Sequence, residues 1–127
     1  SPDELQHHQC LAYSLINDHK TWRFQDNNSQ EIKISITPHL KASVGEFLRD
    51  AAVNGHGISV LPTFIVYKEI ESGALVPVLT DYIPNPISAY AIYPQTRHLS
   101  QRVRQFVDFL VKRFEGVPYW DLCLSEN

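Results

Sequence analysis

The stretch "NGHGISVLPTFIV", residues 54–66, contains three consecutive structural signals. Asn54-Gly55 is a typical helix end, because glycine adopts the left-handed conformation at little steric cost. The apolar run "ISVLP" is typical of a strand buried on both faces, and its proline cannot continue a central ladder. The segment therefore predicts the end of a helix, a buried strand, and Pro62-Thr63-Phe64 at the carboxyl end of that strand.

The flanking stretches predict a helix on each side of this strand. In "ASVGEFLRDAAVNG", Ser43 followed three residues later by Glu46 is a capping-box pattern. Four apolar residues then share helical spacing and predict one buried face: Val44, Phe47, Leu48 and Ala51. "TFIVYKEIESG" contains strand-forming residues, but Thr63 as a cap and Gly73 as a stop favour a short helix.

Alternating residues predict further strands. "TWRFQ" (21–25) and "EIKISIT" (31–37) alternate apolar with polar residues, and the turn residues between them predict a hairpin. "CLAYSL" (10–15), "ALVPVLTDY" (74–82) and "ISAYAIYP" (87–94) are also predicted to be extended. Strands that alternate with helices predict an α/β sheet with helices on its faces, in which ligands bind beyond the carboxyl ends of the strands.

Two helices are predicted at the ends of the chain. "SPDEL" predicts a short helix with Ser1 as cap. "SQRVRQFVDFLVKRFEG" predicts the longest helix, with Ser100 as cap and Gly116 as stop. Its apolar stripe contains six residues: Val103, Phe106, Val107, Leu110, Val111 and Phe114.

Composition narrows the class of protein. The 127 residues carry 14 acids and 11 bases, a formal charge of −3, whereas a chain that binds DNA by itself should carry a basic face. Cys10 and Cys123 favour reduced thiols in a cytoplasm, with a single disulfide joining the ends as the alternative. "SPDELQHHQ" lacks Met and is unlike a signal peptide, so we expect the chain to begin inside a longer protein. No apolar run approaches the ~20 residues that span a bilayer.

The reactive side chains do not form a catalytic or metal-binding pattern. The six histidines lack metal-ligand spacing, and no nucleophile elbow is present, so we expect no catalytic residue, metal or cofactor. Cys10, Trp22, Phe24 and Phe47 are interpreted as core residues.

A pocket is the remaining candidate for function. With Ser43 as cap, the N–H groups near Val44 and Gly45 would suit an anion, although the serine could equally serve only its own helix. Thr63 and Phe64 would present a hydroxyl and an aromatic wall to the same cleft.

Five stretches together resemble the effector-binding domain of LysR-type transcriptional regulators, in order and spacing, from about His7 to Asp121: "HHQCLAYS", "TWRF", "GEFLRDAAVNGHGISVLPTFIV", "SGALVPVLTDY" and "YAIYPQTRHLSQRVRQFVDFLVKRFEGVPYWD". The resemblance implies an α/β, type 2 periplasmic-binding-protein-like fold, with two lobes, two crossing strands and a small, possibly anionic, effector between the lobes. It implies a bacterial, cytoplasmic homodimer or homotetramer without catalytic activity or membrane contact. Promoter DNA would be bound only through a preceding winged helix-turn-helix.

The resemblance also assigns roles to segments. Residues 1–76 would form the second lobe, complete or nearly so. Residues 77–127 would return through the hinge, with Leu75 to Leu79 in the returning strand, and add the C-terminal strand and helix of a truncated first lobe. We expect association of the chain to cover the apolar stripe of that helix.

The effector-binding residues implied by the resemblance lie at two places: Ser43, Val44, Pro62, Thr63 and Phe64. His56 receives no role. A solute-binding protein of similar fold and an enzyme on the same scaffold remain the alternatives.

Overall fold

The computed structural model describes residues 1–16, 18–84, 90–93 and 100–124, without the side chain of Cys123. Its residues fall into two compact units, Ser1–Pro86 and Ile87–Asn127. The strands of the described residues are β1 (Cys10–Tyr13), β2 (Thr21–Gln25), β3 (Glu31–Ser35), β4 (Pro38–Ala42), β5 (Ile58–Ser59) and β6 (Ile83–Pro84). The helices are α1 (Gly45–Val53), α2 (Thr63–Glu71) and α3 (Gln101–Arg113), with 3-10 helices at Pro2–His7 and Tyr119–Leu124.

The first unit contains a parallel sheet with strand order β4-β1-β5. Strand β1 is central and its side chains alternate between two cores. Cys10 and Ala12 face a core that also contains Phe24, Ile34 and Ile36, whereas Leu11 packs with Leu48 and Ala51 of α1. The unit is therefore built in layers: an antiparallel sheet, the parallel sheet and a helical layer.

The predicted hairpin is confirmed. Strands β2 and β3 pair antiparallel, with Trp22 opposite Ile34 and Phe24 opposite Ile32, and β6 adds to the other side of β2. Alternation predicts this correctly because one face of the hairpin is buried: Phe24 and Ile34 are 4% and 3% exposed. Strand β4 also alternates half-buried with exposed residues, but it begins with a proline and sequence patterns did not identify it.

The apolar segment after α1 forms a shorter strand than expected. Only Ile58–Ser59 pairs with β1, and its residues are half-buried rather than fully buried. Val60 and Leu61 continue without strand pairing and pack against different cores. Gly55 has a φ of 77°, which confirms it as the left-handed residue after α1.

Helix α1 buries a narrower face than its spacing predicts. Gly45, Leu48 and Ala51 are buried, but Val44 and Phe47 are 52% and 54% exposed. The prediction that Phe47 is a core residue is therefore wrong. The reason is that contact with Leu11 of the sheet, rather than the full apolar arc, determines which side of the helix is covered.

The segment 74–82, predicted to be extended, does not form a strand. Residues 76–79 carry no strand pairing, and the return of Leu75 to Leu79 through a hinge stays a prediction. Leu79 has a positive φ of 59°, and its carbonyl accepts a 2.8 Å hydrogen bond from the Tyr82 N–H, which turns the chain before β6. Of the predicted strand 87–94, residues 87–89 and 94 lie outside the described residues, and residues 90–93 carry no strand.

The second unit contains the predicted long helix. The Ser100 hydroxyl accepts a 3.3 Å hydrogen bond from the Val103 N–H, which confirms the cap, and Gly116 has a φ of 82°. Phe114, Tyr119 and Trp120 form an aromatic cluster after the helix, with ring centroids 4.7 to 5.8 Å apart. Within the part of the chain that the structure describes, no helix has the length and apolar character needed to cross a bilayer.

Candidate functional site

The carboxyl edge of the parallel sheet brings three segments of the chain together. Because β1, β4 and β5 are parallel, the residues that follow all three strands leave the sheet at this edge. The Ser14 N–H donates a 2.8 Å hydrogen bond to the Ala42 carbonyl, and the Ser59 hydroxyl donates a 3.0 Å bond to the Leu11 carbonyl. These bonds align the strand ends and determine where the chain turns outward.

Helices α1 and α2 both begin at this edge and run side by side. Gly45, in the first turn of α1, packs against the Ile65 side chain of α2. One turn further along α1, Arg49 also contacts α2. The Arg49 guanidinium lies 3.5 Å from the Ile65 carbonyl and 3.5 Å from a Glu69 carboxylate oxygen. A residue further along α1 contacts a residue further along α2, so the two helices are parallel. Their positive N-terminal ends therefore lie together.

The structure brings the two groups of predicted site residues to this edge. Ser43 and Val44 directly precede α1, while Pro62, Thr63 and Phe64 lie at the start of α2. Contact between Gly45 and Ile65 connects these two helix starts. Their role in binding stays a prediction, but the proximity that it requires is present.

The predicted caps at this edge are wrong. Val44, rather than Ser43, is the N-cap of α1, since its carbonyl accepts the first helical hydrogen bond from Leu48 at 3.4 Å. The Ser43 hydroxyl thus lies one residue too early, and α1 has no side-chain cap. Pro62, rather than Thr63, is the N-cap of α2, and the Pro62 carbonyl accepts a 3.0 Å bond from the Ile65 N–H.

Sequence patterns did not identify the segment after β1 as part of this edge. Ser14, Leu15 and Ile16 are exposed at the same edge, because β1 ends at Tyr13 rather than at Leu15. The rule that placed Pro62-Thr63-Phe64 at the edge applies equally to this strand. It would have identified these residues had the end of β1 been predicted correctly.

His56 lies away from this edge, in a cavity near the other end of α1. The cavity has a volume of about 280 Å³ and seven lining residues: His39, Leu40, Phe47, Asp50, Ala51, Asn54 and His56. Strand β4 carries one extra residue here, because Cys10 pairs with Pro38 but Leu11 pairs with Leu40. This bulge leaves His39 unpaired and turns it toward α1. Across the described residues, no three possible metal ligands come together.

Cys10 is a buried thiol of the first unit. It is 0% exposed and free, and its thiol donates a 3.4 Å hydrogen bond to the Leu5 carbonyl. Burial raises the pKa of the Cys10 thiol, so the nucleophilic thiolate is disfavoured. The interpretation of Cys10 as a buried core residue is confirmed.

Comparisons with known proteins agree with this arrangement. The family model described as the LysR substrate binding domain matches residues 1–115. The HTH-type transcriptional regulator CrgA of Neisseria meningitidis serogroup C (strain 8013) is 36% identical over 113 residues, which cover 88% of this chain. The chain spans 37% of the length of that relative.

Two solved structures show the same fold. The full-length virulence activator AphB of Vibrio cholerae superposes with a TM-score of 0.74 at 28% identity, over 88% of this chain and 38% of that chain. The regulatory domain of CrgA from Neisseria meningitidis superposes with a TM-score of 0.65 at 34% identity, over 86% of this chain and 53% of that chain.

Proposed function

The chain belongs to the family of LysR substrate-binding domains, and from this membership we propose that the carboxyl edge of its parallel sheet binds a small effector. The predicted fold class, α/β and type 2 periplasmic-binding-protein-like, is confirmed, as is the prediction of an effector-binding domain of a LysR-type regulator. The relatives are transcriptional regulators, which supports this function over that of a solute-binding protein.

One observation carries the proposal. Two parallel helices and three strand ends converge at a single edge, and the Gly45–Ile65 contact connects the helix starts. Ligands of open α/β sheets bind in the crevice beyond the carboxyl ends of the strands. We assign the contacts with the effector to five residues at these starts: Ser43, Val44, Pro62, Thr63 and Phe64.

The proposal extends to the intact protein. A winged helix-turn-helix would precede this domain and bind promoter DNA, and the protein would act without catalysis, in the cytoplasm, as a homodimer or homotetramer. Effector binding would change the population of assembly states and thereby the contact with DNA. The segments would divide as 1–76 for the second lobe and 77–127 for the return through the hinge to the first lobe.

Two experiments test the proposal. The gene sequence upstream of the Ser1 codon should encode a helix-turn-helix, whereas a secretion signal there would support a solute-binding protein. In the intact protein, fluorescence anisotropy with genomic promoter fragments should show DNA binding whose affinity changes when a metabolite library is added. DNA affinity that no metabolite alters would contradict the assignment of an effector site.

A further inference from the structure

Exposed apolar side chains surround the edge of the parallel sheet where the strands end and α1 and α2 begin. Leu15 and Ile16 after β1 are 69% and 58% exposed, Val44 before α1 is 52% exposed, and Phe64 at the start of α2 is 55% exposed. These four residues are called the edge patch. They come from three segments that the parallel sheet brings to one place, so they form a local apolar surface rather than scattered exposed residues.

The segments that form the edge patch contain no ionisable side chain. This holds for residues 14–16, 43–44 and 61–64. Serine and threonine hydroxyls provide their side-chain polarity, at Ser14, Ser43 and Thr63. An ion-pairing partner for a charged group is therefore missing from these segments.

The charged residues next to the edge patch do not favour an anion there. Glu46 lies in the first turn of α1, where its carboxylate offsets the positive helix end and repels a second anion. Lys41 alternates with Leu40 and Ala42, which pack toward α1, so its ammonium group points to the opposite face of the sheet. There its Nζ lies 3.0 Å from the Nε2 of His19.

We propose that the effector presents an uncharged, apolar part to the edge patch, with its polar or charged group directed to other parts of the cleft. This inference rests on the proposed function, and it makes Leu15 and Ile16 determinants of specificity. The occupant is a small molecule because the patch lies where open α/β sheets bind ligands. The hydroxyls and helix-start N–H groups around it provide directional contacts of the kind found in small-molecule sites.

Two series of carboxylates probe the chemistry of the edge patch in the intact regulator. Butanoate, hexanoate and octanoate end in a methyl group, whereas succinate, adipate and suberate of the same lengths end in a second carboxylate. Calorimetry should show monocarboxylates binding up to about fourfold tighter for each methylene that becomes buried. Each dicarboxylate should bind at least about tenfold more weakly than its partner, because its second charge would be desolvated without a counter-ion.

A substitution at the patch should reverse this preference. Leu15→Lys adds a cation at a position that is 69% exposed, so the fold should tolerate it. We expect adipate to bind at least about fivefold tighter to this variant, and hexanoate to bind more weakly. Val53→Lys is the matched control, because Val53 is 41% exposed at the far end of α1, and it should leave both affinities unchanged.

Any of the following results would overturn the inference. Tighter binding of dicarboxylates to the unchanged protein would place a charged group at the patch. Affinities independent of chain length would show that the patch buries no apolar part of the ligand. Absence of binding by both series also overturns it. If Leu15→Lys instead lowers the association state in sedimentation and leaves ligand affinities unchanged, the patch is a protein contact. In all these cases the metabolite response of DNA binding tests the proposed function separately.

Discussion

Gly45 and Ile65 approach so closely that a Cβ atom at Gly45 would lie 2.6 Å from the Cδ1 of Ile65. A side chain at position 45 would therefore require the end of the Ile65 side chain to move. Gly45 therefore lets the two helix N-termini, on which the proposed site depends, approach without displacing the Ile65 side chain.

Gly45→Ala should change the free energy of unfolding by at most about 1 kcal/mol, because the Ile65 Cδ1 is the end of a flexible side chain that can move away and alanine favours the helix. Ile65→Val removes the Cδ1 methyl group that the new side chain would meet. Urea unfolding of both single variants and the double variant should show that the double loses less than the sum of the two. Strictly additive losses would mean that the two residues are not in contact.

Gly57→Ala should cost far more than Gly55→Ala. Gly57 has a φ of 146°, and an added Cβ would collide with the carbonyl of Gln9. Gly55 has a φ of 77° with nothing within 4 Å of the added atom. We expect losses of about 3 kcal/mol or more at Gly57 and about 1–2 kcal/mol at Gly55, measured by urea unfolding. Equal losses would show that β5 does not approach Gln9 in solution.

Ser100→Ala and Ser43→Ala should differ in their effect on helix ends. The Ser100 hydroxyl accepts a hydrogen bond from the Val103 N–H, so its loss should cost about 1 kcal/mol and accelerate hydrogen exchange at that amide. Ser43 is exposed and does not cap α1, so its substitution should change stability by less than about 0.5 kcal/mol. A large loss at Ser43 would instead support the capping box that the structure lacks.

The buried thiol of Cys10 should make stability depend on alkaline pH. Its folded pKa lies above the ordinary value of 9.0, so the folded state keeps a proton that the unfolded state loses. The contribution is fully present below the ordinary pKa and is lost as pH rises through the folded pKa. The free energy of unfolding should fall above about pH 9. Cys10→Ala should show a smaller fall, and parallel curves for the two proteins would contradict the burial of this thiol.

Ser43→Ala and Thr63→Ala should each reduce the free energy of effector binding to the intact regulator by about 1–3 kcal/mol, the range for a lost hydrogen bond at a binding site. The effector response should weaken accordingly. DNA affinity without effector should stay unchanged, because both residues lie in the sensing domain. Anisotropy titrations with promoter DNA, with and without an active metabolite, provide the measurement. Ser72→Ala is the control, since Ser72 lies at the other end of α2. An unchanged response in both variants would remove these residues from the site.

Local sequence patterns predicted the β2–β3 hairpin and α3 correctly. The β2–β3 hairpin follows from alternation across Trp22 and Phe24, and α3 follows from its apolar spacing together with the Ser100 cap. Both signals lie within a few residues of the structure that they specify.

Features that depend on distant partners were missed. Strand β4 exists because it pairs with β1, and its first residue is a proline, which sequence patterns penalise. Phe47 has core spacing but lies on the side of α1 that the sheet does not cover. The site was predicted in part: both helix starts were identified, but Ser14 to Ile16 were not, because the end of β1 was placed too late.

The central position of β1 also governs how this chain can fold. Leu11 finds its partners only at Leu40 and at Ser59, which lies 48 residues further along the chain. During synthesis, β1 therefore emerges long before either neighbour and must wait for the ribosome to release β5 before the sheet can close. Bringing together segments that are far apart in the sequence is slow, and the apolar residues of β1 stay exposed until the sheet forms. Until β5 is available, aggregation through the exposed apolar residues of β1 competes with closure of the sheet.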